Sequence, residues 1–370
     1  MFNIPLLYIY NFVFLFITLI LCELKIIPKK FYLYISTFYF LFIFGQRWLT
    51  GVDFPFYLEG YLINNRRFES GYFFFQNLFF LNNIYFGNFI FLIYSFTTIT
   101  SLWFVRKYTY SNYIIFLFFI SEYHIMSINP LRTYIAINFF LIGYYFHNIK
   151  NKKIGIFIMG IGLFFHKLTI GAIFIYFLFK ILNIKKWEKI ILLFLLIIPL
   201  INIKFLLEKI ALVILPRYSH YFGGYFDQKL SLLNIIRYYC ILILFIYLKK
   251  YINLKNIKEK KLLESTYLFF ILIGAATSFG PLHRIAYFYK IFEFLFFTYI
   301  FDFKRIGNLK RFLIISVFIL NYIAIAYKDM GVLFEYELRP LQFFNTKTNN
   351  EYTKENEKYL KKYRNKFIQK

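Results

Sequence analysis

The sequence predicts an all-α fold: a polytopic transmembrane helical bundle of about 11–13 spans, with interfacial helices in its outer loops. Three observations carry this. First, 60% of the 370 residues are hydrophobic and 25% aromatic, with a mean hydropathy of +0.57, more apolar surface than a soluble chain of this length can cover. Second, apolar runs of membrane-spanning length recur, and they are continuous rather than alternating at period two, which argues against a β-barrel. Third, the Lys and Arg residues behind the formal net charge of +26 sit mostly in short connections between the runs, where the positive-inside rule accounts for them. Nucleic acid, the usual partner of so basic a soluble chain, is therefore not expected.

The first span runs from about Phe2 to Cys22. It lacks a basic n-region and a small-residue cleavage site, so it reads as a retained helix. Lys25, Lys29 and Lys30 place the next loop in the cytoplasm, and the second span, Phe31 to Phe44, then delivers residues 46–61 to the outer face. That stretch holds Arg47, a planar fork suited to phosphate or carboxylate. It also holds Gly51, which permits a tight bend, Asp53, able to orient the arginine or accept a proton, and Tyr57. The same residue types also serve as plain interfacial anchors. Arg66, Arg67 and Glu69 follow, then an aromatic run from Tyr72 to Leu81 that is too short to span and is expected at the interface.

The third span, about Tyr85 to Val105, returns to Arg106 and Lys107. A hairpin follows: a helix from Ser111 to Ile128, a break at Asn129 and Pro130, and a helix to about Phe146 with Arg132 at its outer tip. Residues 154–183 are basic at both ends and should cross twice, yet about thirty residues cannot make two crossings of about twenty each. A short helical hairpin with His166 and Lys167 at its tip, below the outer surface, is expected; a single long helix would invert every later loop. The chain then goes out through Ile190–Leu207 to its largest non-apolar insertion, Glu208–Ser231, with Arg217, Tyr218 and His220. It returns through Leu232–Leu248 to a lysine-rich loop, crosses twice around Pro281, His283 and Arg284, and leaves through Phe312–Tyr327. The tally of about twelve spans strands the basic tail outside, so one span is miscounted, at 154–183 or at 328–345. Residues 1–344 make the membrane domain and 345–370 a basic polar tail; there is no soluble domain and no internal repeat.

Arg47, Arg132, His166, Lys167, Arg217, Arg284 and Arg339 collect on the outer side. A charged group at membrane depth costs about 2.5–3.5 kcal/mol on insertion scales, and an anionic ligand would supply the reason. A pyrophosphate on a lipid carrier fits, because guanidinium pairs bidentately with phosphate oxygens. The alternative is that each arginine pairs singly with an acid or a headgroup. His166 has the ordinary pKa for proton transfer near neutrality; the alternative is a histidine bonded to a backbone carbonyl. Glu122 and His124 do not share a helix face, and an interhelical polar contact is expected there. Cys22 and Cys240 give neither a disulfide framework nor a metal spacing. No metal site stands out, the pair Glu335 and Glu337 being a weak match, and there is no phosphate-cradling glycine loop, which argues against ATP-driven pumping.

The order of these pieces resembles the EpsG family of Wzy-like bacterial polysaccharide polymerases. The family shows an arginine, a Gly-x-Asp and a tyrosine after an early helix; Arg47, Gly51, Asp53 and Tyr57 match. An R-x-x-x-A element matches Arg132 and Ala136, and a basic loop with an F-H pair matches Lys152, Lys153, Phe165 and His166. Arg217 and Tyr218 match a later R-Y element. Arg284 opens an R-x-x-x-Y element whose tyrosine is shifted to Tyr287 or Tyr289. The likeness covers about residues 40–300. It implies a GT-C-like polymerase at the outer face of the bacterial inner membrane. Donor and acceptor would both be oligosaccharide repeat units on undecaprenyl diphosphate, with no cofactor and with a chain-length regulator as a partner. The arginines and Tyr218 would hold the departing diphosphate, and His166 or Asp53 would accept the acceptor hydroxyl's proton. An O-antigen ligase or another lipid-linked glycosyltransferase shares this logic. A flippase would favour inverted repeats and polar groups through both membrane halves.

Overall fold

A computed structural model describes residues 4–48, 53–64, 66, 68–109, 111–181, 184–201, 209, 232–277, 281–303, 306–329 and 337–338. The chain divides into two compact units, one of Met1–Lys167 with Phe318–Lys370, the other of Leu168–Val317. The described residues are an all-α helical bundle, as expected, apart from one two-residue antiparallel pairing, β1 (Arg47–Trp48) with β2 (Glu337–Leu338). The 345–370 tail lies outside the described residues.

Unit one begins with α1 (Ile4–Glu23) and α2 (Lys29–Gly45). They meet where Tyr39 donates to Asn11 Oδ1 at 2.9 Å and stacks on Phe14. Two short helices follow β1, α3 (Phe54–Leu62) and α4 (Ser70–Leu81). Each stops just before an asparagine in the left-handed region, Asn64 (φ 44°) and Asn83 (φ 52°), a conformation asparagine tolerates better than most residues. At about 1.5 Å per residue neither can span hydrocarbon. The aromatic run expected at the interface is therefore a discrete helix too short to cross.

α5 (Phe86–Arg106) packs along α2, with Gly45 so close to Phe91 that a Cβ would sit 2.7 Å from its ring. The span expected over 111–128 is broken: α6 (Asn112–Phe119) ends before α7 (Glu122–Met126) begins. Ser121 makes the break, its hydroxyl donating to the Phe118 carbonyl at 2.6 Å and accepting the His124 N–H at 3.3 Å, a local alternative to continuous helix that serine offers. Pro130 precedes α8 (Leu131–Tyr145), as its sequence position predicts. A one-turn π-helix and the Asn151 cap then reverse the chain into α9 (Lys152–Ile161). The two helices close backbone to backbone at Gly143 and Gly155, where a Cβ on either would fall under 3 Å from backbone of the other limb, the small-residue contact typical of membrane helices. Ser101, Tyr123 and Asn138 tie α5, α7 and α8 together at 2.8–2.9 Å.

In unit two, α10 (Thr169–Ile181), α11 (Ile184–Ile197), α12 (Leu232–Leu248), α13 (Ile257–Ala275) and α14 (Pro281–Phe303) follow in order. α13 packs along α14, where Thr266 donates to the Phe292 carbonyl, and Tyr289 of α14 donates to Ala172 of α10 at 2.6 Å. Lys249 pairs with Glu188 at 2.5 Å, and Tyr267 donates to the same oxygen at 3.0 Å. The last helix, α15 (Asn308–Asp329), passes from unit two into unit one, where Tyr322 donates to Tyr8 of α1.

Three helices among the described residues are long and apolar enough to cross a membrane: 6–23, 86–106 and 308–327. Large apolar side chains point outward along several helices, Phe38 being 74% exposed and Phe157 71%. Such a surface suits lipid, not water. About twelve spans were expected; among the described residues several of the apolar runs form helices shorter than a full crossing, and Ser121 and Pro130 are where the 111–146 stretch is interrupted.

Candidate functional site

The loop after α2 and the turn before α8 are stitched together. Arg47, 1% exposed, donates from Nη1 to the Phe44 carbonyl and from Nη2 to the Ile128 carbonyl, both at 2.6 Å. The Asp53 N–H donates to Asn129 Oδ1 at 2.9 Å. Phe44 is in the last turn of α2 and Ile128 lies just past α7, positions where helical donors run out. Arg47 meets both carbonyls, and its guanidinium carbon lies 5.4 Å from the Tyr94 ring centroid. Arg47 is thus a buried brace between these two segments. Tyr94 in turn meets His124 Nε2 at 2.7 Å, while His124 Nδ1 lies 3.2 Å from the Phe119 carbonyl. One neutral tautomer satisfies both, which is the interhelical contact expected for His124.

Arg132 occupies the first turn of α8 and keeps 24% of its side chain exposed. Nη1 pairs with Glu69 Oε2, Glu69 being the residue that precedes α4. The guanidinium carbon lies 4.6 Å from the Phe68 ring centroid and 5.9 Å from that of Tyr57, within range of favourable cation–π contact. Tyr57 is buried on α3, against Phe68 and Tyr72. Burial pushes its phenol up to about 12, Asp53 adds to the rise, and Arg132 pulls it back. Asp53 itself precedes α3, with Pro55 in the first turn, where a missing N–H leaves no helical bond unmade. Asp53, Tyr57, Glu69 and Arg132 therefore form one patch of mixed charge set in aromatic rings.

α4 leads from that patch to His166. From Glu69 it runs to Phe75, which stacks on Phe165; Phe165 also stacks on Phe139 of α8 at 5.3 Å between centroids. Gly71 lets α4 lie directly on the Phe164 backbone. Phe139 is seven positions after Arg132, or about 10 Å along the helix, which sets the depth of the F-H element. α9 ends in a 3-10 turn at 162–164, and the chain turns at 165–168 before α10. The single long helix is thereby excluded and two short helices flank His166, as expected, but His166 is buried, where a tip residue open to water was expected. Its N–H donates to the Gly162 carbonyl at 3.0 Å, and Lys167 beside it is exposed.

Arg47, Asp53, Arg132 and His166 belong to unit one. Arg284 belongs to unit two, exposed in the first turn of α14, next to His283, whose Nδ1 lies 2.9 Å from Tyr287 Oη. Gly51, Arg217, Tyr218, His220 and Arg339 lie outside the described residues. Glu69 in this patch, and separately a buried ion pair in unit two, were not singled out from the sequence. Glu69 was read only as loop charge, although an acid opening an aromatic interfacial helix was its signal. Lys290 and Glu293, on α14, form an ion pair at 2.6 Å with side chains 11% and 7% exposed, and Lys290 Nζ sits 4.7 Å from the Phe269 centroid. Their spacing of three in an apolar run was legible. Among the described residues no three His, Cys, Asp or Glu side chains gather as metal ligands would.

No curated protein and no solved structure matches the chain. The model of the EpsG family matches residues 30–343.

Proposed function

We propose, from the premise that the chain belongs to the EpsG family of Wzy-like polysaccharide polymerases, that it joins oligosaccharide repeat units carried on undecaprenyl diphosphate. The product would be O-antigen or capsular polysaccharide, made at the outer face of the inner membrane. The observation that supports this best is Arg132: a guanidinium at a helix start, ringed by Phe68 and Tyr57, with Asp53 and Glu69 at hand. Negative charge develops on the leaving diphosphate as its bond to the donor's anomeric carbon breaks, and a fixed cation in a water-poor site stabilises that charge most.

In this reading the acceptor hydroxyl attacks the anomeric carbon, its proton passes to His166 or Asp53, and the lipid diphosphate departs against Arg132. The family resemblance assigns substrate contacts to Arg284, Arg217 and Tyr218 as well, and Arg47 acts through the loop it braces. A regulator of chain length is an expected partner.

The test is Arg132→Ala and Arg132→Lys in the native host, with membrane insertion checked. Loss of long surface chains with accumulation of single capped repeat units supports the polymerase. Unligated long chains would indicate a ligase, and unchanged long chains would refute the assignment. Purified protein that lengthens lipid-linked glycan in detergent excludes transport alone.

A further inference from the structure

Arg132 is already occupied. Its Nη1 is paired with Glu69, while its Nε is buried and has no hydrogen-bond partner among the described residues. The carboxylate thus takes one nitrogen of the fork, Tyr57 also interacts with the guanidinium, and Nε is left unused. A phosphate group, with three oxygens and more charge, can take more of the fork.

We propose that Glu69 is a specificity-determining residue: an internal competitor that sets the threshold an anion must exceed to occupy Arg132. The proposal rests on the reading of Arg132 given under Proposed function. A guanidinium at the edge of a bilayer is surrounded by monoanionic phosphodiester headgroups at high local concentration. An open Arg132 would be held by them. An internal occupant lowers the apparent affinity of every external anion by the same factor, since each binds only the fraction of molecules in which the site is open. The apparent dissociation constant of a weak monoanion then rises above its concentration in the membrane, while that of a diphosphate stays below its own. Discrimination arises from the threshold, not from a contact that prefers one phosphate over another. Phe68 supports this arrangement, because its ring covers one face of the guanidinium whether Glu69 or a ligand holds the edge.

The experiment uses the full chain in nanodiscs of phosphatidylcholine alone, or with about one third phosphatidylglycerol, and geranyl diphosphate as the probe. Glu69→Gln keeps the shape and removes the competing charge. It should bind the probe about tenfold more tightly than the wild type in phosphatidylcholine, or about 1.4 kcal/mol. It should lose most of that gain when phosphatidylglycerol is present. Glu69→Asp should stay near the wild type, and the wild type should respond to phosphatidylglycerol by less than about twofold. Unchanged or weaker binding by Glu69→Gln in phosphatidylcholine overturns the proposal. So does a failure of both Glu69→Gln and Glu69→Ala to give folded protein, because the pair would then be a strut. Arg132→Ala separates the two levels: if it binds the probe like the wild type, the site reading itself falls, whatever Glu69 does.

Discussion

Replacing Arg47 with lysine tests whether that residue braces the fold or holds substrate. The guanidinium bridges the Phe44 and Ile128 carbonyls at 2.6 Å each from two different nitrogens. A lysine ammonium is a single point and can reach one of them. Arg47→Lys therefore forfeits one of these two bonds, and Arg47→Met forfeits both. Hydrogen bonds from charged donors are worth about 1.5–3 kcal/mol in water-soluble proteins, and interhelical bonds in membranes average about 0.6 with a maximum near 1.7. Two bonds to a fully buried donor then come to about 3 kcal/mol, and one to about half that. For a cooperative unit of this size a kcal/mol moves Tm by about 2–4 °C, so Arg47→Met should lose about 6–12 °C and Arg47→Lys about 3–6 °C. The assay is thermal unfolding of the purified chain in detergent, followed by geranyl diphosphate binding at a temperature where each variant is still folded. Binding per folded molecule should hold for Arg47→Lys. A lysine variant with an unshifted Tm and no binding would refute the brace, and would return Arg47 to the anion site.

Three further outcomes follow from the packing. Gly155→Ala would set a Cβ 2.3 Å from the His147 nitrogen; backbone cannot yield there, so a destabilisation at or above the usual overpacking range of about 1–3 kcal/mol is expected, read as lost Tm or lost insertion. Glu293→Gln should lower the Tm, because it removes the 2.6 Å carboxylate partner of the buried Lys290, and Lys290→Met with Glu293→Leu should recover most of the loss in the same unfolding assay. The Tyr57 phenol, raised to about 12 chiefly by burial, favours the folded state fully below its ordinary value of about 10, and that contribution fades as pH rises from there towards 12. Any activity lost in Tyr57→Phe should therefore be the same at every pH between about 6 and 9; a loss that varies across that window would mean the phenol ionises during turnover.

Reading the chain alone went furthest where local rules decide. The helix start after Pro130, the short aromatic helix at 70–81 and the turn at His166 all follow from proline geometry, length and charge at the ends of a run. It went less far where a pairing spans the sequence. Glu69 and Arg132 are 63 residues apart, and nothing in either neighbourhood names the other. The same holds for the Ile128 carbonyl that Arg47 serves from 81 residues away; without that partner, an arginine at the end of an apolar run looks like one facing outward. The break at Ser121 was hidden by hydropathy, because seven apolar residues precede it and the helix ends for a hydrogen bond, not for polarity.

The two-residue ladder between Arg47–Trp48 and Glu337–Leu338 has a consequence for biogenesis. Its strands are roughly 290 residues apart, and a ribosome adding about 5–20 residues per second needs about 15–60 s to travel between them. β1 must wait with an open edge until residues 337–338 have been made. A chain cut short before residue 337 would therefore lack the partner strand of β1.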